Sequence, residues 1–215
     1  MRETFISYGS GCNSTPNEPW TMDRKHYPSH WYVQQADFAL KRLKTGRCLV
    51  VGSPIFEAME LISSGLIVTY FDVRDPKVEG LPFVQGDATK MSFTDESFDC
   101  ASSTCVLCHA GLGRYGDAQV EDGDELMLSE ISRVLKKGGK LAVTFGPVSV
   151  NWTVARLENC QRVYSLDEAT RMAIASGFVV TEVDVLDTRD AVWIHNVSED
   201  ERVDRFYLSM LMEKK

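Results

Sequence analysis

Apolar positions fall into two rhythms along this chain. The run RCLVVG at 47–52 is continuously apolar after its first residue and predicts a fully buried parallel strand. Five more stretches predict strands, at 66–71, 81–84, 98–103, 140–145 and 178–186, and a last one spans roughly 203–212. Between them the spacing becomes helical. Tyr32, Ala36, Leu40 and Leu43 share one face of a helix predicted over 30–44. Further helices are predicted at 55–64, at 124–136 with Leu128, Ile131, Val134 and Leu135 inward, and at 166–176. Gly46 and Gly177 follow two of them, and Gly138 with Gly139 is expected to end the helix at 124–136. Strands alternating with helices predict an α/β domain built on a mostly parallel sheet with helices on both faces. No internal repeat or linker interrupts the pattern, so 1–215 reads as one domain, with 1–29 a polar arm or lid and 30–215 the core. Trp20, Tyr27, Trp31 and Tyr32 of the N-terminal segment could cover a cofactor as a lid or pack against the first helix.

Charge narrows the partners. The net charge is −8, which argues against a basic nucleic-acid groove. No run approaches the ~20 apolar residues that span a membrane, and 1–20 has no signal-type apolar stretch. The expected location is therefore cytoplasmic. The sequons at Asn13, Asn151 and Asn196 are then chance matches, and the six cysteines are thiols rather than a disulfide framework.

Doubly wound sheets bind ligands at the carboxyl ends of their strands. The first strand ends at Gly52 and Ser53, where the backbone can approach a ligand before a helix begins. The second ends at Asp72, followed by Val73. Asp72 lies 20 residues after Gly52, a spacing at which an acid accepts from ribose hydroxyls. The third ends in Gly86-Asp87-Ala88, and the fourth near Ser103 and Thr104. A carboxylate at Asp87 can accept from an adenine amino group.

Taken in order, CLVVGSP, TYFD, QGDATKMSF, ESFDCASSTCVLCH and EISRVLKKGGKLAVT resemble the successive motifs of class I S-adenosylmethionine-dependent methyltransferases, over residues 48–144. The resemblance implies a Rossmann-like, seven-stranded, mostly parallel sheet whose last strand is antiparallel. It implies S-adenosylmethionine as cofactor and methyl transfer to an acceptor, for which a small molecule is the expectation. It makes Asp72 the ribose acid, Asp87 the adenine-side acid, and 102–109 the border between cofactor and acceptor. Gly52, Ser53, Val73, Ala88, Ser103 and Thr104 complete the expected cofactor site. The first motif departs from the family: Val50 stands where an acid is usual, and Pro54 and Phe56 replace later glycines. GLGRYGD, GDELM and NCQRVY resemble a narrower branch of the fold, known chiefly as a domain of unknown function. That branch shares VGS and carries a glutamate that Glu57 matches, and it has His where this chain has Gln161.

His109, Arg114 and Asp117 are the catalytic candidates. His109 could take a proton, and Arg114 could clamp an anionic acceptor from a glycine-rich loop. Arg162, in the segment 147–162 expected beside them, could also hold an anionic acceptor. C-x-x-C-H at 105–109 matches a haem-attachment pattern. It lacks an export signal and a second pair of ligands, so it is read as pocket wall without metal. The acidic run 117–125 fails the calcium-loop spacing and reads as a helix start capped by Asp122 or Asp124. Two other functions fit this composition: a non-catalytic binding domain, and an enzyme using another nucleotide such as NAD.

Overall fold

After the exposed Arg47, strand β1 (Arg47–Val51) is apolar because both faces of the sheet are covered. Leu49 and Val51 enter one cluster with α3 (Gly123–Val134) and α4 (Leu166–Ala175). Cys48 and Val50 point the other way, into a cluster with α1 (Trp31–Arg42) and α2 (Ile55–Ser63). Each fully buried Leu or Val contributes roughly 1.5–3 kcal/mol. The computed structural model describes residues 31–148, 156–158, 161–187, 192–194 and 206–215. The expected arm 1–29 and most of 147–162, Trp152 included, lie outside the described residues.

The other strands are β2 (Ile67–Asp72), β3 (Phe83–Gln85), β4 (Phe98–Thr104), β5 (Leu135–Val148), β8 (Phe178–Asp187), β9 (Val192–Ile194) and β10 (Phe206–Lys214). They form an eight-stranded sheet in the order β3-β2-β1-β4-β5-β10-β8-β9. The seven expected strands are β1 to β5, β8 and β10, and β9 is an added edge. β1 to β5 pair parallel, and β10 runs antiparallel between β5 and β8. A separate small hairpin joins β6 (Arg156–Glu158) and β7 (Gln161–Val163).

Two expectations change. Gly138 and Gly139 do not end a helix. α3 stops at Val134 and β5 begins at once, pairing Leu135 with Phe98 and Lys140 with Cys100. The intervening residues bulge out, and Gly138 takes φ +74 within the bulge. Asp122 holds the N-cap position of α3 without a side-chain cap bond, and Asp124 is buried for another purpose. α4 is the helix with a side-chain cap: Ser165 accepts from the Glu168 amide at 3.0 Å.

Candidate active site

The carboxyl ends of β1, β2 and β4 converge on an open cleft of about 660 Å³. The turn after β1 is fixed from two sides. Gly52 takes φ +61 and donates to the Phe71 carbonyl at 2.8 Å. A Cβ there would come within 2.9 Å of the Val106 side chain, so glycine keeps the turn close to the segment after β4. The Ser53 hydroxyl accepts from the Thr104 amide at 2.9 Å, and the Ser53 carbonyl accepts from the Tyr70 hydroxyl at 2.8 Å. Ser103 donates to the Val51 carbonyl at 3.3 Å. Gly52, Asp72, Val73, Asp87, Ala88 and Thr104 line the cleft, while Ser53 and Ser103 are buried supports behind it.

Asp72 is buried and already engaged. Its Oδ1 accepts from the Arg74 amide at 2.8 Å and from Arg74 Nε at 3.1 Å, and its Oδ2 accepts from Arg74 Nη2 at 3.1 Å, while the Tyr70 hydroxyl stands 3.5 Å from Oδ2 with its single proton nearer the Ser53 carbonyl. A carboxylate has about four acceptor positions, so Oδ2 keeps capacity for a hydroxyl. The Arg74 guanidinium in turn lies 4.4 Å from the centre of the Tyr115 ring. Asp87 serves the chain itself. It accepts from the Thr89 amide and hydroxyl at 2.8 and 2.7 Å, and from the Ala118 amide at 3.1 Å. Burial opposes its charge, but these donors outweigh burial and hold the carboxyl below its usual range.

The loop 111–117 goes elsewhere than its sequence position suggests. It crosses to the ends of β2 and β3, through Tyr115 on Arg74, Ala118 on Asp87, and Gly116 facing Val73. Asp117 organises the loop, accepting from the Gly113 and Tyr115 amides at 3.2 and 3.1 Å. His109 lines the cleft from the short helical turn at Leu107–His109, and Arg114 does not line it. Arg114 Nη1 lies 3.4 Å from His109 Nδ1. A guanidinium only donates, so in this contact Nδ1 accepts and the neutral imidazole carries its proton on Nε2.

Arg162 is a structural residue and cannot hold a substrate. It donates to the Ala110 and Glu121 carbonyls at 2.6 and 3.2 Å and faces Asp124 at 3.5 Å. Tyr164 donates to the same Asp124 at 3.0 Å, so this buried group ties β7 to the start of α3. Cys105 and Cys108 are buried free thiols. Cys105 takes φ +57 at the cleft wall, and Cys108 packs against Gly146. Among the described residues no cluster of His, Cys, Asp and Glu is placed to hold a metal ion.

Residues 60–143 match the family model of a methyltransferase domain. That segment runs from α2 into β5 and holds the ends of β2 and β4 that line the cleft. Solved structures share the fold at low identity. A Thermotoga maritima methyltransferase described as a possible histamine N-methyltransferase is 19% identical over 89% of this chain and 94% of its own, with a TM-score of 0.62. The Burkholderia thailandensis 1,6-didemethyltoxoflavin N1-methyltransferase, solved with that compound and S-adenosylhomocysteine, is 17% identical over 85% and 76%, with a TM-score of 0.60. The cyclase SpnF is 17% identical over 92% and 86%, with a TM-score of 0.62. Among curated proteins none matches the chain in sequence.

The cleft has features that suit S-adenosylmethionine, the cofactor of the matched domain family. Phe71, Val73, Ala88 and Val106 give the cleft an apolar lining, and Asp72 lines it with them. A second feature was legible only as a resemblance. Glu57, in the first turn of α2, is wholly buried, and the Ser102 hydroxyl donates to its Oε1. Gln35 of α1 is also wholly buried and accepts from the Cys105 thiol at 2.6 Å. No motif pointed to Gln35, because α1 precedes the sheet and carries no sequence signature of the site. Among the described residues Glu57 Oε2 and Gln35 Nε2 have no hydrogen-bond partner. Buried polar atoms in that state are costly without a ligand.

Proposed function

We propose that this single-domain chain binds S-adenosylmethionine across the ends of β1, β2 and β4 and methylates a small molecule. The observation that carries the reading is Asp72, a buried acid at the end of β2 with acceptor capacity facing the cleft. In the proposal Asp72 holds the ribose hydroxyls, Gly52 lets the backbone approach the ligand, and Val73, Ala88 and Val106 enclose the base. Asp87 acts indirectly, by fixing the backbone of 87–89 and the end of loop 111–117 around that part of the cleft. When bound, the cofactor supplies a methyl group on a sulfonium, a leaving group that needs no protein nucleophile.

The chain's own work is positioning. His109 reaches the cleft from the β4 side, next to β5, where an acceptor has room. With Nδ1 accepting from Arg114, His109 orients an acceptor by donating from Nε2 rather than by taking a proton. Arg114 sets that tautomer, and Asp117 holds the loop that carries Arg114. A small acceptor is in keeping with the size of the cleft and with the compound bound in the Burkholderia neighbour. A cytoplasmic setting is supported by four free, buried thiols, Cys48, Cys100, Cys105 and Cys108.

Calorimetric titration with S-adenosylhomocysteine, with NAD as control, tests the reading. Binding of the first and not the second is expected. Asp72→Ala should weaken it by roughly 1.5–3 kcal/mol, the worth of hydrogen bonds to a charged group. Wild-type affinity in that variant would remove Asp72 from the site.

A further inference from the structure

β1 carries Val50 where an acid is usual, yet a carboxyl stands at the place such an acid would reach. Val50 and Ser102 are register partners on adjacent parallel strands, so their side chains share one face of the sheet. On that face the Ser102 hydroxyl donates to Glu57 Oε1. α2 therefore delivers from above what β1 lacks from within. Among the described residues the remaining oxygen of Glu57 is unanswered, and so is the amide nitrogen of Gln35. One is an acceptor and the other a donor. They border consecutive residues of the cleft wall: Glu57 lies against Ser102 and Thr104, and Gln35 against Cys105. Thr104 and Cys105 both line the cleft.

We propose that Glu57 and Gln35 together receive the amino-acid end of the cofactor, Glu57 its ammonium and Gln35 its carboxylate. The inference rests on the cofactor reading above. An amino-acid zwitterion requires one buried acceptor and one buried donor, and among the described residues Glu57 Oε2 and Gln35 Nε2 offer that pair beside the cleft wall. Charge points the same way. Among the described residues the titratable groups that face Glu57 are Glu60 on α2, Cys48 on β1, Tyr70 on β2 and Cys105 after β4. None of them is a cation. Burial pushes the Glu57 carboxyl up to about 7, although the Ser102 hydroxyl and the nearby Thr104 and Ser53 side chains pull against it. An ammonium supplies the missing positive charge, and pairing with it ionises the carboxyl and releases a proton.

The test compares two ligands on the full chain. S-adenosylhomocysteine carries the amino-acid end, and 5′-methylthioadenosine carries the same nucleoside without it. Calorimetry at pH 7 in two buffers of different ionisation heat reads affinity and proton release together. Wild type should release a fraction of a proton on binding S-adenosylhomocysteine and none on binding 5′-methylthioadenosine. Glu57→Gln should lose tenfold or more in affinity for S-adenosylhomocysteine, lose the proton release, and bind 5′-methylthioadenosine as wild type does. Gln35→Met, of similar size, should also lose affinity for S-adenosylhomocysteine alone. Equal weakening of both ligands in both variants would make the two residues structural only. Unchanged affinity and proton release in Glu57→Gln would overturn the assignment while leaving the cofactor reading intact. Failure of wild type to bind either ligand would overturn both.

Discussion

Gly111 and Gly123 meet backbone to backbone. A Cβ on Gly111 would lie 2.7 Å from the Cα of Gly123, and one on Gly123 would lie 2.5 Å from the Cα of Gly111. Gly111 also takes φ +73. The contact seats the start of the glycine-rich loop on the first turn of α3. Gly111→Ala should therefore combine left-handed strain with overpacking, a loss of roughly 2–4 kcal/mol in urea unfolding. Gly116→Ala is the comparison, because at φ +91 its nearest neighbour is a Val73 methyl at an ordinary 3.8 Å. It should cost only the conformational part, about 1–2 kcal/mol. Equal losses in the two variants would mean that the backbone contact is not what holds the loop.

Glu57 should make the ligand-free protein less stable as pH rises. Its carboxyl moves from an ordinary 4.5 to about 7 in the folded chain. The unfolded chain therefore holds fewer protons than the native one between those values, and stability falls across that window. Below 4.5 both states are protonated and the penalty is absent. Glu57→Gln should remove the slope, so its advantage over wild type grows from pH 5 to pH 8 and reaches on the order of 3 kcal/mol. Thermal melts across that range check it, and parallel curves for the two proteins would contradict it.

Asp87 carries the opposite sign. Its folded carboxyl titrates below the usual range, so its hold on Ala118 is present at neutral pH and is lost as pH falls through that lowered value. Asp87→Asn should speed hydrogen exchange at the Ala118 amide at neutral pH. Protection equal to wild type would show that other contacts keep the loop in place.

His109 should be found as the Nε2–H tautomer in nitrogen-15 spectra, because Arg114 donates to Nδ1. Arg114→Ala should release that preference and admit the Nδ1–H form, which is the common alternative in a neutral imidazole. A spectrum showing Nδ1–H in wild type would put the Arg114 contact, and the donor role with it, out of account.

The sheet was legible because burial on both faces leaves a mark on every strand. CLVV at β1 and the strand-end acids Asp72 and Asp87 could be placed from spacing alone. What Asp87 does was not legible, since its partner, the Ala118 amide, lies 31 residues away and carries no side-chain signal. The same holds for Arg162, which reads as an anion clamp in sequence. In the fold its donors are spent on the Ala110 and Glu121 carbonyls. Gly138 and Gly139 misled for a related reason. A glycine pair after a helical run fits a helix end, and only the pairing of Cys100 with Lys140 reveals a bulge.

Of the strands in the sheet, β10 is synthesised last, yet it sits between β5 and β8. Until the ribosome has released Phe206–Lys214, β5 offers a bare row of amides and carbonyls to any other strand nearby. The nascent chain therefore carries its greatest aggregation hazard in the interval between translation of β5 and of β10. A stop codon between Ile194 and Phe206 would leave β8 and β9 without the strand that joins them to the sheet, however well β1 to β5 have formed.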